Sequence, residues 1–102
     1  SALMMLGDKI KANEAEQMNM IYKVFSDEEF TEASMKLAKR LSNMPTKGLG
    51  LTKRALNQSL TNTLEEQLAL EGELQTMAGS TYDYTEGVNA FLEKRKPNYK
   101  GE

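Results

Sequence analysis

Apolar positions along the 102-residue chain recur at spacings of three and four, and short polar breaks carrying helix-start and helix-stop residues separate them. Ser26-Asp27-Glu28-Glu29 has the form of a capping box, with Ser26 as N-cap and Glu29 at N3. The helix it starts places Phe30, Ala33, Leu37, Ala38 and Leu41 on one stripe. Its first turn is acidic and its last turn carries Lys39 and Arg40, which suits the helix dipole. Asn43-Met44-Pro45 stops it. The next helix runs from Thr46 to about Leu60, with Leu49, Leu56 and Leu60 marking its buried side. Thr63-Leu64-Glu65-Glu66 is a second capping box, and Leu64, Leu68, Leu74, Met77 and Ala78 form the stripe behind it. After Gly79-Ser80-Thr81, Asp83 is the expected cap of the last helix, with Glu86 three residues on. Tyr84, Val88, Phe91 and Leu92 supply that helix's apolar face. Pro97 closes it, and Asn98 to Glu102 reads as a tail.

The N-terminal third is less regular. Ser1 to Leu6 reads as the last turns of a helix that begins outside the chain, because apolar sequence starts at once and Gly7 stands where a helix C′ residue belongs. A short helix is expected from Ala12 to about Met18. Ile21-Tyr22-Lys23-Val24-Phe25 alternates in polarity but has no strand partner, so it reads as an extended connector. The expected fold class is all-α: one small domain over residues 1–102 of about five helices, with a helical hairpin followed by a C-terminal helix.

Composition narrows the chemistry. The chain is 39 % hydrophobic and 27 % charged, with a net charge of −2, so no broad nucleic-acid surface is expected. No apolar run approaches the roughly 20 residues of a membrane span. There is no cysteine and no histidine, which removes thiolate chemistry and the commonest general base and metal ligand. No phosphate-cradling glycine loop is present, since Gly48-Leu49-Gly50 is too short. The many carboxylates sit in first turns and on polar faces, where capping accounts for them. No cofactor, metal or catalytic residue is expected within the chain.

Residues 81–97 carry a recognisable signature. Asp83, then Glu86-Gly87, Ala90-Phe91, Lys94-Arg95 and Pro97 resemble the closing motif of the enoyl-CoA hydratase/isomerase (crotonase) family. Thr52-Lys53-Arg54-Ala55-Leu56 and Leu64-Glu65-Glu66-Gln67-Leu68 resemble its preceding helices. The combination with Asp83-Tyr84-Thr85-Glu86-Gly87 is most similar to the phenylacetate-pathway branch. One departure is Met18-Asn19-Met20-Ile21, where the family usually has a glycine, and this bears on the local turn.

The resemblance implies that these residues form the C-terminal helical domain of a larger cytoplasmic enzyme. Its partners would be its own N-terminal core and the neighbouring subunits of a homotrimer or hexamer. The substrate would be an acyl-CoA, handled through an enolate in an oxyanion hole that lies outside this chain. It also implies that Phe91 and Lys94 meet CoA, the ring on the adenine and the ammonium on the phosphates. Phe91 stands three residues before Lys94, so on a continuous helix the two share a face. The alternative is a stand-alone helical interaction domain. In either case exposed apolar sequence around Leu3, Met4, Leu6 and Met18-Met20 is expected to drive self-association. One structural pair is expected from spacing alone. Glu71 lies on the stripe of Leu64, Leu68 and Leu74, and reflecting the hairpin about Asn62 sets it across from Lys53, beside Arg54.

Overall fold

The computed structural model describes residues 2–102, and Ser1 lies outside the described residues. Six helices follow in order: α1 (Ala2–Leu6), α2 (Ala12–Gln17), α3 (Asp27–Ser42), α4 (Thr46–Gln58), α5 (Leu64–Gly79) and α6 (Tyr82–Leu92). No strand occurs among the described residues, so the chain is all-α as expected. About five helices were expected, and the helical turns read before Gly7 are present as α1. Two compact units are present, Ser1–Met35 and Lys36–Glu102.

In the first unit each turn is closed by a specific group. Gly7 ends α1 at φ 68°, with its N–H donating to the Leu3 carbonyl at 3.1 Å. Glu14 starts α2 by accepting the Lys11 N–H at 2.9 Å. At the other end of α2, Asn19 takes φ 56°. Its N–H reaches the Glu16 carbonyl and the Met20 N–H reaches Ala15, each at 2.9 Å. This is a Schellman closure with asparagine at C′. Asparagine tolerates the left-handed region, so Asn19 supplies a turn for which glycine is the usual choice. The Glu16 carboxylate then accepts the Val24 N–H at 2.8 Å, which anchors a connector with neither helix nor strand. At the start of α3, Ser26 Oγ accepts the Glu29 N–H at 3.3 Å and its hydroxyl donates to the Glu29 carboxylate at 3.1 Å.

In the second unit α4 packs on α5, and α5 on α6. α5 opens on a complete capping box: the Glu66 N–H donates to Thr63 Oγ1 at 3.3 Å and the Thr63 N–H to Glu66 Oε2 at 2.7 Å. These bonds hold the Glu66 carboxyl below its usual pKa, the backbone bond contributing most. The groove between α4 and α5 is lined by Gly48, Thr52 and Ala55 on one side and Gln67, Glu71 and Leu74 on the other. Leu51 and Leu56 line it as well, so small residues and leucines of α4 share the face towards α5. Of the leucines expected on the buried side of α4, Leu49 is half-buried, Leu56 borders the groove but is 64 % exposed, and Leu60, beyond the helix end, is 86 % exposed. On α5, Leu74 is buried while Leu64 and Leu68 are exposed. The stripes chosen by hydrophobicity thus found Leu56, Leu74 and Ala78 of this groove and missed Gly48, Thr52, Gln67 and Glu71.

The residue that caps α6 is Thr81, not Asp83. Thr81 Oγ1 accepts the Tyr84 N–H at 3.1 Å, and its hydroxyl donates to the Ala78 carbonyl at 2.7 Å. Asp83 sits inside the first turn and points its carboxylate at the tail. Its two oxygens accept the N–H groups of Lys100 at 2.7 Å and Gly101 at 2.9 Å, and its own N–H donates to the Glu102 carbonyl at 3.0 Å. Asp83 is only 2 % exposed, so these bonds replace lost hydration. The segment read as a free tail is thereby seated on α6. Gly101 makes this possible: its φ is 81°, and a Cβ there would lie 2.5 Å from Thr46 Oγ1. Gly101→Ala is expected to destabilise the chain by about 1–3 kcal/mol, through left-handed strain and this clash. A fall in the urea midpoint at unchanged m-value is the measurement that checks it.

Candidate functional site

α6 and the turn behind it gather the residues singled out by sequence. The helix ends at Leu92, with Glu93 as C-cap. Lys94 follows at φ 55°; its N–H donates to the Phe91 carbonyl at 3.3 Å and the Arg95 N–H to Ala90 at 3.0 Å. This is a second Schellman turn, with lysine at the position where glycine is usual. A left-handed lysine costs roughly 1–2 kcal/mol, so something must hold it there. The shared helical face expected for Phe91 and Lys94 is therefore not what brings the two together: Lys94 has left the helical register.

Arg95 holds the turn. Its Nη1 and Nη2 donate to the two oxygens of Glu86 at 2.6 and 2.9 Å, a bidentate fork, and its Nε donates to Glu93 at 2.6 Å. Glu86 is 8 % exposed and also accepts the Asn98 N–H at 2.7 Å. The Arg95 guanidinium first, and the Asn98 amide second, hold the Glu86 carboxyl down to about 2, against partial burial, which pushes it up. Arg95 is correspondingly held more firmly protonated than a free arginine, chiefly by Glu86. Gly87 completes this surface: a Cβ there would stand 3.3 Å from Tyr99 Oη, so its bare backbone makes room for the tail's tyrosine.

The basic run at 94–100 therefore divides. Arg95 is used internally, and Lys100 Nζ lies 4.2 Å from the centroid of the Tyr82 ring. Lys94 and Lys96 enter no ion pair among the described residues. Phe91, 82 % exposed, lines an apolar groove of about 460 Å³ together with Pro45, Gly48, Tyr84 and Val88. No cluster of three or more potential metal ligands occurs among the described residues.

The expected Lys53–Glu71 pair is not formed. Among the described residues the ion pairs are those of Arg95 with Glu86 and Glu93. Glu71 does turn towards α4, but at an exposed rim, where it accepts a hydrogen bond from Gln67 Nε2 at 2.8 Å. α4 presents Thr52 and Ala55 to that groove, and Lys53 is rotated about 100° away from Thr52 on a helix of 3.6 residues per turn. Glu71 is exposed to solvent instead. Sequence reasoning also passed over Arg95 as more than a dipole partner. The signal was the acid at Glu86 followed nine residues later by an arginine beyond the helix end, which only the Schellman turn brings together.

All 102 residues match the family model described as enoyl-CoA hydratase/isomerase. The chain belongs to the enoyl-CoA hydratase/isomerase family. It is 46 % identical over 99 residues to 1,2-epoxyphenylacetyl-CoA isomerase of Escherichia coli, covering 97 % of this chain and 38 % of that protein. It is 35 % identical to the 2,3-dehydroadipyl-CoA hydratase of the same organism, covering 99 % of this chain and 40 % of that one. The crystal structure of an enoyl-CoA hydratase from a Polaromonas species superimposes with a TM-score of 0.88 at 30 % identity, over 98 % of this chain and 39 % of that one. This enoyl-CoA hydratase/isomerase family chain thus spans about two-fifths of the length of the relatives it matches.

The Glu86–Arg95 fork makes stability depend on pH with a definite sign. The folded pKa of Glu86, about 2, lies below its ordinary value of 4.5. Its contribution is therefore present in full above about pH 5 and fades as pH falls through 4.5 towards 2. Glu86→Gln has no such carboxyl. The gap in urea midpoint between the native chain and this variant is expected to be widest above about pH 5 and to close by about pH 2.

Proposed function

We propose that this chain is the C-terminal helical domain of an acyl-CoA hydratase or isomerase, and that it completes the CoA pocket and the subunit contacts. The observation that carries this reading is the mismatch between its apolar side chains and its burial. Met4 is 91 % exposed, Leu60 86 %, Phe91 82 %, and Leu64 76 %, while the buried apolar residues are Leu74 and Ala90. Exposed apolar surface of this extent marks a face that another element covers. The relatives' greater length points to a catalytic core of the same polypeptide as the cover, and copies of that polypeptide as further neighbours.

Within such an assembly Phe91 and Lys94 have the chemistry that CoA requires. Phe91 offers an exposed ring for stacking on adenine. Lys94 offers an ammonium without an intramolecular ion-pair partner, suited to phosphate as a mobile point charge. The chemical step belongs to residues outside this chain. In the family's mechanism backbone N–H groups hold the thioester enolate oxygen, and acidic side chains move protons. The contribution of residues 2–102 is to bind and orient the far end of the substrate.

Three outcomes test this reading. The chain by itself should turn over no enoyl-CoA, since each missing oxyanion donor is worth about 10²–10³ in rate. It should also form dimers or larger species at high concentration, read by sedimentation equilibrium. In the enzyme carrying this domain, Lys94→Ala should raise KM for acyl-CoA about tenfold with kcat nearly unchanged, because the contact is remote from the reacting atoms. A loss confined to kcat would refute it.

A further inference from the structure

We infer that Glu86 is a positioning residue for the CoA phosphates, acting through Arg95 to hold Lys94 in its outward-facing turn; this rests on the Lys94 reading proposed above. Of the four residues with positive φ, Gly7, Asn19, Lys94 and Gly101, three are glycine or asparagine, which adopt that geometry readily. Lys94 alone has no such preference. A strained residue persists where its surroundings over-determine it.

Those surroundings are specific. Arg95 ties the residue before Lys94, Glu93, to the buried carboxylate of Glu86. Glu86 in turn holds the chain beyond Pro97 through the Asn98 N–H. The backbone on both sides of Lys94 is therefore pinned by one carboxylate.

Charge points the same way. Glu86 and Glu93 are the acids bonded to this turn, and either could capture the Lys94 ammonium. Arg95 engages both oxygens of Glu86 and one of Glu93, and Lys94 forms no ion pair among the described residues. Lys94 is exposed, so its ammonium is open to an external anion. Arginine suits this internal task because its planar fork engages Glu86 with two donors, whereas lysine suits the external one as a compact charge on a flexible stem. The adjacent Lys94-Arg95 pair thus divides into a presenter and a brace.

The test compares two substrates in the enzyme that carries this domain: an acyl-CoA, and the same acyl group on pantetheine, which lacks the adenosine and its phosphates. Glu86→Gln should raise KM for the acyl-CoA about fivefold, with KM for the acyl-pantetheine and both kcat values unchanged. Lys94→Ala should show the same split, and the double variant should be no worse than Lys94→Ala alone, since both changes act on one contact. Arg95→Lys, which keeps the charge but loses the fork, should reproduce the split and decides the matter if Glu86→Gln does not fold. If Lys94→Ala shows the split and Glu86→Gln and Arg95→Lys do not, this inference is overturned and the CoA reading stands. An equal rise in KM for both substrates in Glu86→Gln, or additive effects in the double variant, overturns it as well. If Lys94→Ala shows no split, the CoA reading itself falls.

Discussion

An ionised carboxylate withdrawn from water must find its full set of donors, and two such groups govern the last third of this molecule. Asp83 and Glu86 are almost completely covered. Both are satisfied by backbone N–H groups of the tail, and Glu86 also by the fork of Arg95. The direction of the tail, the left-handed turn at Lys94 and the bare backbone at Gly87 follow from that requirement. Burying charge in this way adds little net stability compared with an apolar core of the same size. It does define one arrangement, because removing any member leaves a partner unmatched in a place water reaches poorly.

The hairpin of α4 and α5 obeys a different rule. The groove between them is lined on α4 by Gly48, Thr52, Ala55 and Ser59 together with Leu51 and Leu56, so small residues and leucines share it. Other large apolar side chains of the hairpin, Leu60, Leu64 and Leu68, are exposed.

Much of the fold was legible because helix starts are written locally. Ser26 with Glu29, and Thr63 with Glu66, announce their helices within four residues, and the structure begins them there. The all-α class and the order of helices followed from the same signals. The cap of α6 was misplaced because Thr81 and Asp83 are both good capping residues, and only the tail, folded back upon the helix, shows which task Asp83 has. The rotations of α4 and α5 were illegible for a related reason. An apolar stripe identifies a face that avoids water, and that face need not point to the nearest helix. Phe91 and Lys94 were singled out through the family motif. The brace behind them, Arg95 on Glu86, depends on a chain reversal that no periodicity encodes.

The clamp on the tail also bears on how the chain reaches its native form. Its bonds join residues only 12 to 18 positions apart, Glu86 to Asn98 and Asp83 to Lys100 and Gly101. Closing loops of that size costs little chain entropy and takes on the order of 10–100 ns. α6 and its returning tail therefore form a unit of low contact order, able to assemble on a nascent polypeptide before distant segments meet. Such a unit keeps its own geometry while the broad apolar faces of the neighbouring helices wait for their partners.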